Sequence, residues 1–390
     1  MSETKKRILF LCSQPFFQRR GSPIRVGFNL MALAESGYDV DLLTLPMGED
    51  REIPGVTIIR IPNLIGCKTI SIGPSIPKLI YDVIMLFTAL KMIKKTRYDV
   101  IHGIEDAGAV GVLVAKRAGV PLVFEKHSDP GSYKKGGLKN LIMNAYAKVE
   151  AFTIKRSKAV IGTGPGLVRQ ATDISPIVSA HHIMDIPSSL VEADQSKRDG
   201  IRAALTSSDD DVLLLYVGSF ASYQGIDLLF DSIPQVVKEC PQARFIIYGG
   251  SQQEIEQRRA QMAAAGAEGN VVFAGFISPD ELPDTLAAMD GLLSPRVAGA
   301  NTPLKLLDYL KAGQLIIASD TEANRLILNE EICLFGQADP GSYAKEICKA
   351  VKDPELRTQL AGKGRALIDD TYNYTEFKRR LAACYTEILS

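Results

Sequence analysis

The chain has 390 residues, enough for two or three average domains, and its 46% apolar and 23% charged content is that of a folded rather than a disordered protein. Lysine plus arginine and aspartate plus glutamate each total 45, so no global field draws the chain to nucleic acid, and any anion must be held by local geometry. Six scattered cysteines without a CxxC pair, and four histidines of which His181 and His182 are neighbours, argue against a disulfide framework or a metal site and suit a reducing cytoplasm.

The start, MSETKKRILFLCSQ, is a polar lead and a strand-like run too short for a secretory signal. After strand 7–12 comes SQPFFQRRGSPIRVGFNLMAL, where Ser22 is suited to cap a helix and Pro23 to open it. Arg19, Arg20 and Arg25 gather at that helix start as candidate cations. The helical pattern stops at Gly37, and strand runs follow at 39–45 and 56–61. Residues 79–95, LIYDVIMLFTALKMIKK, are the most lipid-like segment, yet contain Asp82 and fall short of a membrane span, which needs ~20 apolar residues. They read as a buried helix, with an interfacial helix carrying a basic end as the alternative.

Strands are expected at 99–103, 121–126, 159–164 and 177–182. His102 falls inside one and packs there, whereas Glu105, His127 and Asp129 stand at strand ends. There they serve either as structural caps or as site residues. Tyr133, Lys134 and Lys135 read either as exposed side chains with no specific role or as the border of an anionic ligand. The polar stretch 185–200 reads as a domain boundary. Asp209, Asp210 and Asp211 precede the next strand rather than follow one, and read as a solvated turn. Further strand runs at 212–218, 244–250, 271–276, 291–295, 315–320 and 333–336 alternate with helical patterns, and 371–390 reads as a last helix. Continuous apolar strands separated by helices describe parallel sheets covered on both faces. The whole is α/β: two Rossmann-like, doubly wound domains, 1–190 and 191–370.

The junction SPRVAGANTPLKLLDYLKAG, 294–313, leaves a strand and enters a helix. Thr302 reads as its N-cap, Pro303 as its first residue and Gly313 as its end. Free amides at Leu304 and Lys305 then suit a phosphate, with Arg296 and the Lys305 side chain adding charge. Asp308 is placed to accept from ribose hydroxyls. A plain capped helix is the alternative. A second junction, VGSFASYQGIDLLFDSI (217–233), leaves its strand through Gly218 and enters a helix near Gly225, a small polar loop that lets backbone approach a ligand.

The order VGSFASYQGIDLL, IIYGG, VVFAGFISPDEL and LLSPR…NTPLKLLDYLKAGQLIIASD resembles glycosyltransferase family four, retaining enzymes of the GT-B fold with two domains facing a central cleft. GSPIRVGFNLMALAESGYDVDLLT is similar to that family's glycine loop and first helix, and DVIHGIEDAG and LVFEKHSDPG to its acceptor-side segments. The resemblance implies transfer of a sugar from a UDP- or GDP-type donor to a glycan, lipid-linked or small-molecule acceptor, with no metal and no further cofactor. It implies His127 near the transferred sugar, and Glu105 and Asp129 on the acceptor side. Gly21, Gly218, Ser219, Gln224, Gly249, Gly250, Phe276, Ile277, Asn301, Thr302, Pro303, Leu304 and Asp308 border the donor, with Arg296 and Lys305 on the diphosphate. It also implies that helix 371–390 returns to the first domain, and a cytoplasmic enzyme, in one version peripheral at the inner membrane. The chain departs from the family at Ser219 and Gln224, where bases are usual, and at Ala300, where a glutamate is usual. A sugar-nucleotide binding protein without turnover and a sugar-nucleotide epimerase are the alternatives. A nicotinamide oxidoreductase lacks its GxGxxG turn after the first strand.

Overall fold

The computed structural model describes residues 5–18, 21–70, 75–129, 137–206, 208–298 and 303–390, with backbone alone for 137–139. The chain divides into two compact units, Met1–Ile186 with Tyr374–Ser390, and Pro187–Asn373. The first cut lies inside the polar stretch 185–200.

The first unit holds strands β1 (Arg7–Cys12), β2 (Asp39–Thr44), β3 (Val56–Arg60), β4 (Val100–Ile104), β5 (Leu122–Lys126), β6 (Ala159–Gly162) and β7 (Ser179–His182). They form one parallel sheet in the order β3-β2-β1-β4-β5-β6-β7. Leu9, Phe10 and Leu11 of β1 are wholly buried, because helices cover both faces of the strand. On one face α1 (Gly21–Glu35) and α14 (Tyr374–Leu389) enclose Phe10, Leu30, Phe377 and Tyr385. On the other, α2 (Ile76–Lys95) and α3 (Ala107–Ala118) enclose Leu9, Leu11, Tyr81 and Val114. Helices α4 (Gly137–Ile154) and α5 (Pro165–Ile174) complete the unit over β5 and β6.

The second unit opens with α6 (Gln195–Leu205). Its sheet contains β8 (Val212–Val217), β9 (Ala243–Tyr248), β10 (Val271–Gly275), β11 (Gly291–Ser294), β12 (Leu315–Ser319) and β13 (Cys333–Gly336), in the parallel order β10-β9-β8-β11-β12-β13. Helices α7 (Ile226–Glu239) and α12 (Pro340–Lys352) pack on one face through Phe230, Ile233, Tyr343 and Ile347. Helices α9 (Leu282–Ala287), α10 (Lys305–Lys311) and α13 (Pro354–Asp370) pack on the other through Leu286, Leu306, Leu310 and Ile368. Helices α8 (Gln252–Ala264) and α11 (Glu322–Arg325) flank the sheet.

Four local expectations are corrected. Helix α1 begins at Gly21, so Ser22 lies inside the first turn rather than capping it. Helix α2 turns only Tyr81, Met85 and Ala89 fully inward; it is not a buried helix. Asp211 is 5% exposed and pairs with Arg244 at 3.1 Å, so only part of the acidic turn is solvated. Helix α10 starts at Lys305, after a turn at Leu304, rather than at Pro303. Among the described residues no helix is long and apolar enough to cross a membrane.

Candidate functional site

In the second unit β8 is flanked by β9 and β11, so the winding direction reverses between β8 and β11. Open α/β sheets bind ligands in the crevice at the carboxyl ends of such a pair. Two loops meet there. The amides of Val297 and Ala298 donate to the Tyr223 carbonyl at 3.1 and 3.3 Å. Gly225, at φ 73°, sits so close that a Cβ would lie 1.8 Å from the Pro295 carbonyl oxygen. Gly249, at φ 114°, is equally confined, because a Cβ there would meet the Gly218 carbonyl oxygen at 1.9 Å. These glycines weld the loops after β8, β9 and β11 into one rim. Gly250 lies against the Phe220 ring, and the Ser219 carbonyl accepts from the Tyr216 hydroxyl at 2.8 Å. Phe276 stands on the rim 87% exposed, next to the partly buried Ile277.

Two cations occupy this rim. Arg296 is buried; its Nε donates to the Ala298 carbonyl at 2.8 Å, and its guanidinium lies 5.7 Å from the Tyr223 ring centre. The Lys305 ammonium lies 4.8 Å above the Tyr216 ring and 3.4 Å from the Gln224 Oε1 it donates to. Among the described residues neither cation makes an ion pair with a carboxylate. Burial, with Arg296 nearby, pushes the Lys305 ammonium down to about 7, and burial lowers Arg296 as well. A bound anion would relieve both. Tyr216 and Tyr223 escaped the sequence reading, since a tyrosine in a strand or loop signals packing rather than a seat for a cation.

The backbone ahead of α10 is described only in part. Asn301 and Thr302, with Ala300, lie outside the described residues. The Pro303 carbonyl accepts from Leu306 N at 2.9 Å and the Leu304 carbonyl from Leu307 N at 3.0 Å. With seven residues, α10 is too short for its dipole to make an anion site by itself. Gly313, at φ 66°, ends the helix as expected. Asp308 does not face the cations. Its Oδ1 and Oδ2 accept from Ser188 N at 2.6 Å and Ser188 Oγ at 2.9 Å, and burial pushes its carboxyl up to about 6. It lines a small cavity of about 70 Å³ with Ser188, Ser189, Glu192, Lys311 and Arg365, away from the rim loops. The expected ribose role of Asp308 therefore meets a carboxylate already occupied.

The switch point of the first unit lies between β1 and β4, and its site is organised around Glu125, a carboxylate inside an apolar strand. Glu125 Oε1 accepts from Arg25 Nε at 2.5 Å and pairs with His127 Nε2 at 2.8 Å. Its Oε2 accepts from Asn29 Nδ2 at 2.8 Å and pairs with His102 Nε2 at 3.1 Å. Burial pushes Glu125 up, but Arg25 and the histidine bonds outweigh it and hold the carboxyl well below the usual carboxylate range. Arg25 also donates to the Ile183 and Met184 carbonyls and to Asp185. It is thus an internal tie rather than a phosphate ligand, a correction to its expected place beside Arg19 and Arg20, which lie outside the described residues. His102 packs as expected, stacked on Phe10 with ring centres 4.2 Å apart.

The His127 ring is engaged at both nitrogens, by Glu125 and, at Nδ1, by Ser22 Oγ at 3.0 Å. Its amide donates to Glu105 Oε1 at 2.6 Å, and Ser128 Oγ donates to the same carboxylate. Burial pushes the Glu105 carboxyl up, and its backbone holds φ 51°. Asp129 Oδ1 accepts from Gln170 Nε2 at 3.0 Å. The structure thus gathers Gly21, Ser22, Glu105 and His127 at the carboxyl edge of the first sheet; Tyr133, Lys134 and Lys135 lie outside the described residues. Glu125 was missed because nothing in a single sequence pairs it with Arg25, 100 positions away.

Two doubly wound parallel units in one chain define the GT-B class of fold. Sucrose-phosphate synthase from Thermosynechococcus elongatus shares it over 98% of this chain and 99% of its own, with TM-score 0.77 and 20% identity. Anabaena HepE in complex with UDP and glucose shares it over 98% and 100%, with TM-score 0.73 and 15% identity. Residues 26–187 match the family described as glycosyl transferase 4-like domain, and residues 211–353 the family described as glycosyl transferases group 1. The chain belongs to this glycosyltransferase family. A putative glycosyltransferase of Bacillus subtilis, YtcC, is 22% identical over 192 residues, and the chain spans about half the length of that relative, 47%.

Proposed function

We propose that the chain is a retaining glycosyltransferase that takes a sugar from a nucleoside-diphosphate donor of the UDP or GDP type. The observation that carries this reading is the pair Arg296 and Lys305, held over tyrosine faces at a topological switch point without a carboxylate partner among the described residues. A diphosphate is the anion such a pair suits, and the charge that grows on it as the glycosidic bond breaks is what these groups stabilise. No metal is needed for that step. HepE, with UDP and glucose, supports the same donor class. Gly218, Ser219, Gln224, Gly249, Gly250, Phe276 and Ile277 form the rim that the nucleotide would border, with Pro303 and Leu304 following in the chain; Asn301 and Thr302, also expected at the donor, lie outside the described residues.

His127 is read as meeting the transferred sugar, with the Ser22 bond as the one a sugar hydroxyl exchanges for. Glu105 and Asp129 are read as facing the acceptor, and Gly21 as bordering the donor. The acceptor is a glycan or a lipid-linked molecule, and the enzyme works on the cytoplasmic side of a membrane. The test is calorimetry with UDP, GDP and their sugars. One of them binds, and Arg296→Ala weakens that binding by about 1.5–3 kcal/mol, the worth of a charge-assisted bond. Unchanged affinity in the variant would remove the rim from the diphosphate role.

A further inference from the structure

Helix α2 presents Ile76, Leu79, Val83 and Phe87 outward, each between 47% and 77% exposed. It packs beside α3, which packs beside α4. The outer faces of these neighbours continue the pattern with Leu113, then Leu141 and Phe152. Around these apolar groups stand eight exposed lysines and arginines: Lys91, Lys94 and Lys95 on α2, Lys116 and Arg117 on α3, Lys148 on α4, and Lys155 and Arg156 just past the end of α4. Among the described residues of the three helices no carboxylate is exposed. Asp82 turns inward to Ser13 Oγ, and Glu150 to Lys126. The Arg156 guanidinium lies 3.8 Å from the Phe152 ring centre, an apolar body joined to a charged tip. In a chain of zero formal net charge, this face is basic and apolar together.

We propose that the α2–α3–α4 face of the first unit docks on an anionic lipid bilayer, its apolar side chains entering the headgroup layer and its cations meeting lipid phosphates. Amphipathic surfaces with a cationic border bind such interfaces by combining both terms. A second copy of the chain fits poorly, since two such faces would oppose like charges. A nucleic acid fits poorly too, because its phosphate backbone gives Leu79 and Val83 nothing to enter. The proposal deepens the reading of a membrane-borne acceptor, and it is measured on lipid alone, so failed nucleotide binding would sink that reading and leave this one standing.

The experiment is sedimentation of the full chain with vesicles of phosphatidylcholine, alone or mixed with phosphatidylglycerol. The protein sediments with the mixed vesicles only. Phe87→Glu and the double variant Lys94→Glu/Lys95→Glu each weaken that partition at least about tenfold, while nucleoside-diphosphate binding stays unchanged. Equal sedimentation with both vesicle types, or undiminished binding by both variants, would overturn the proposal. A dimer in light scattering that Phe87→Glu dissolves, without any lipid binding, would overturn it in favour of self-association.

Discussion

At the scale of single residues, Lys305 is the most informative group. Burial, with Arg296 nearby, pushes its pKa down to about 7 from the ordinary lysine value of 10.5. Between those values the unfolded chain binds the extra proton, so the free protein gains stability from this group as pH rises through that window. Diphosphate binding restores the ammonium, so affinity falls as pH climbs above about 7, and binding at pH ~8 takes up a proton. Calorimetry in two buffers of different ionisation enthalpy reads that uptake directly, and Lys305→Met abolishes it. No uptake in the parent protein would mean that the ammonium is already charged or plays no part. His127 makes a contrasting case. His127→Ala should lower turnover far more than nucleotide affinity, because the ring is proposed to meet the sugar; an equal loss in both would assign the ring to folding alone. Both cations of the rim were legible in SPRVAGANTPLK. The tyrosines beneath them, and the inward aim of Arg25 and Asp308, were not, since long-range partners such as Glu125 and Ser188 leave no mark on local spacing.

At the scale of elements, the strands were readable because a parallel strand buried on both faces is a continuous apolar run bounded by polar turns. VLLLYVG and LIIASD needed nothing else. The helix after β11 was less readable: Thr-Pro is a common opening, yet regular helix starts two residues later, at Lys305. What joins elements in the first unit is the Glu125 cluster, where α1 meets β4, β5 and the carbonyls after β7. Glu125→Gln keeps the shape but leaves the Arg25 guanidinium, 4% exposed, with Asp185 as its remaining acid. Breaking one side of a buried pair costs ~3–5 kcal/mol. Urea unfolding of the first unit should shift by that amount, and a shift below about 1 kcal/mol would show that water already reaches the cluster.

At the scale of the molecule, the first unit is built from two separate stretches and the second from one. Helix α14 contributes Phe377, Leu381, Cys384, Tyr385 and Ile388 to the first core, none more than 7% exposed. Each such side chain is worth ~1.5–3 kcal/mol, so together they rival the ~5–15 kcal/mol that holds a domain folded. A chain ending at Asn373 should therefore lose the first unit to proteolysis while Pro187–Asn373 survives as a resistant fragment that still binds the nucleotide. Survival of both halves would show that the seven-stranded sheet stands without its last helix. The discontinuity also orders events during synthesis. A ribosome releases the whole of Pro187–Asn373 before it supplies the helix that seals the earlier domain, so the later half can reach its native state first while Phe28 and Tyr38 await their cover. For that interval the nascent polypeptide would expose an apolar groove, and folding would be completed in the opposite order to synthesis.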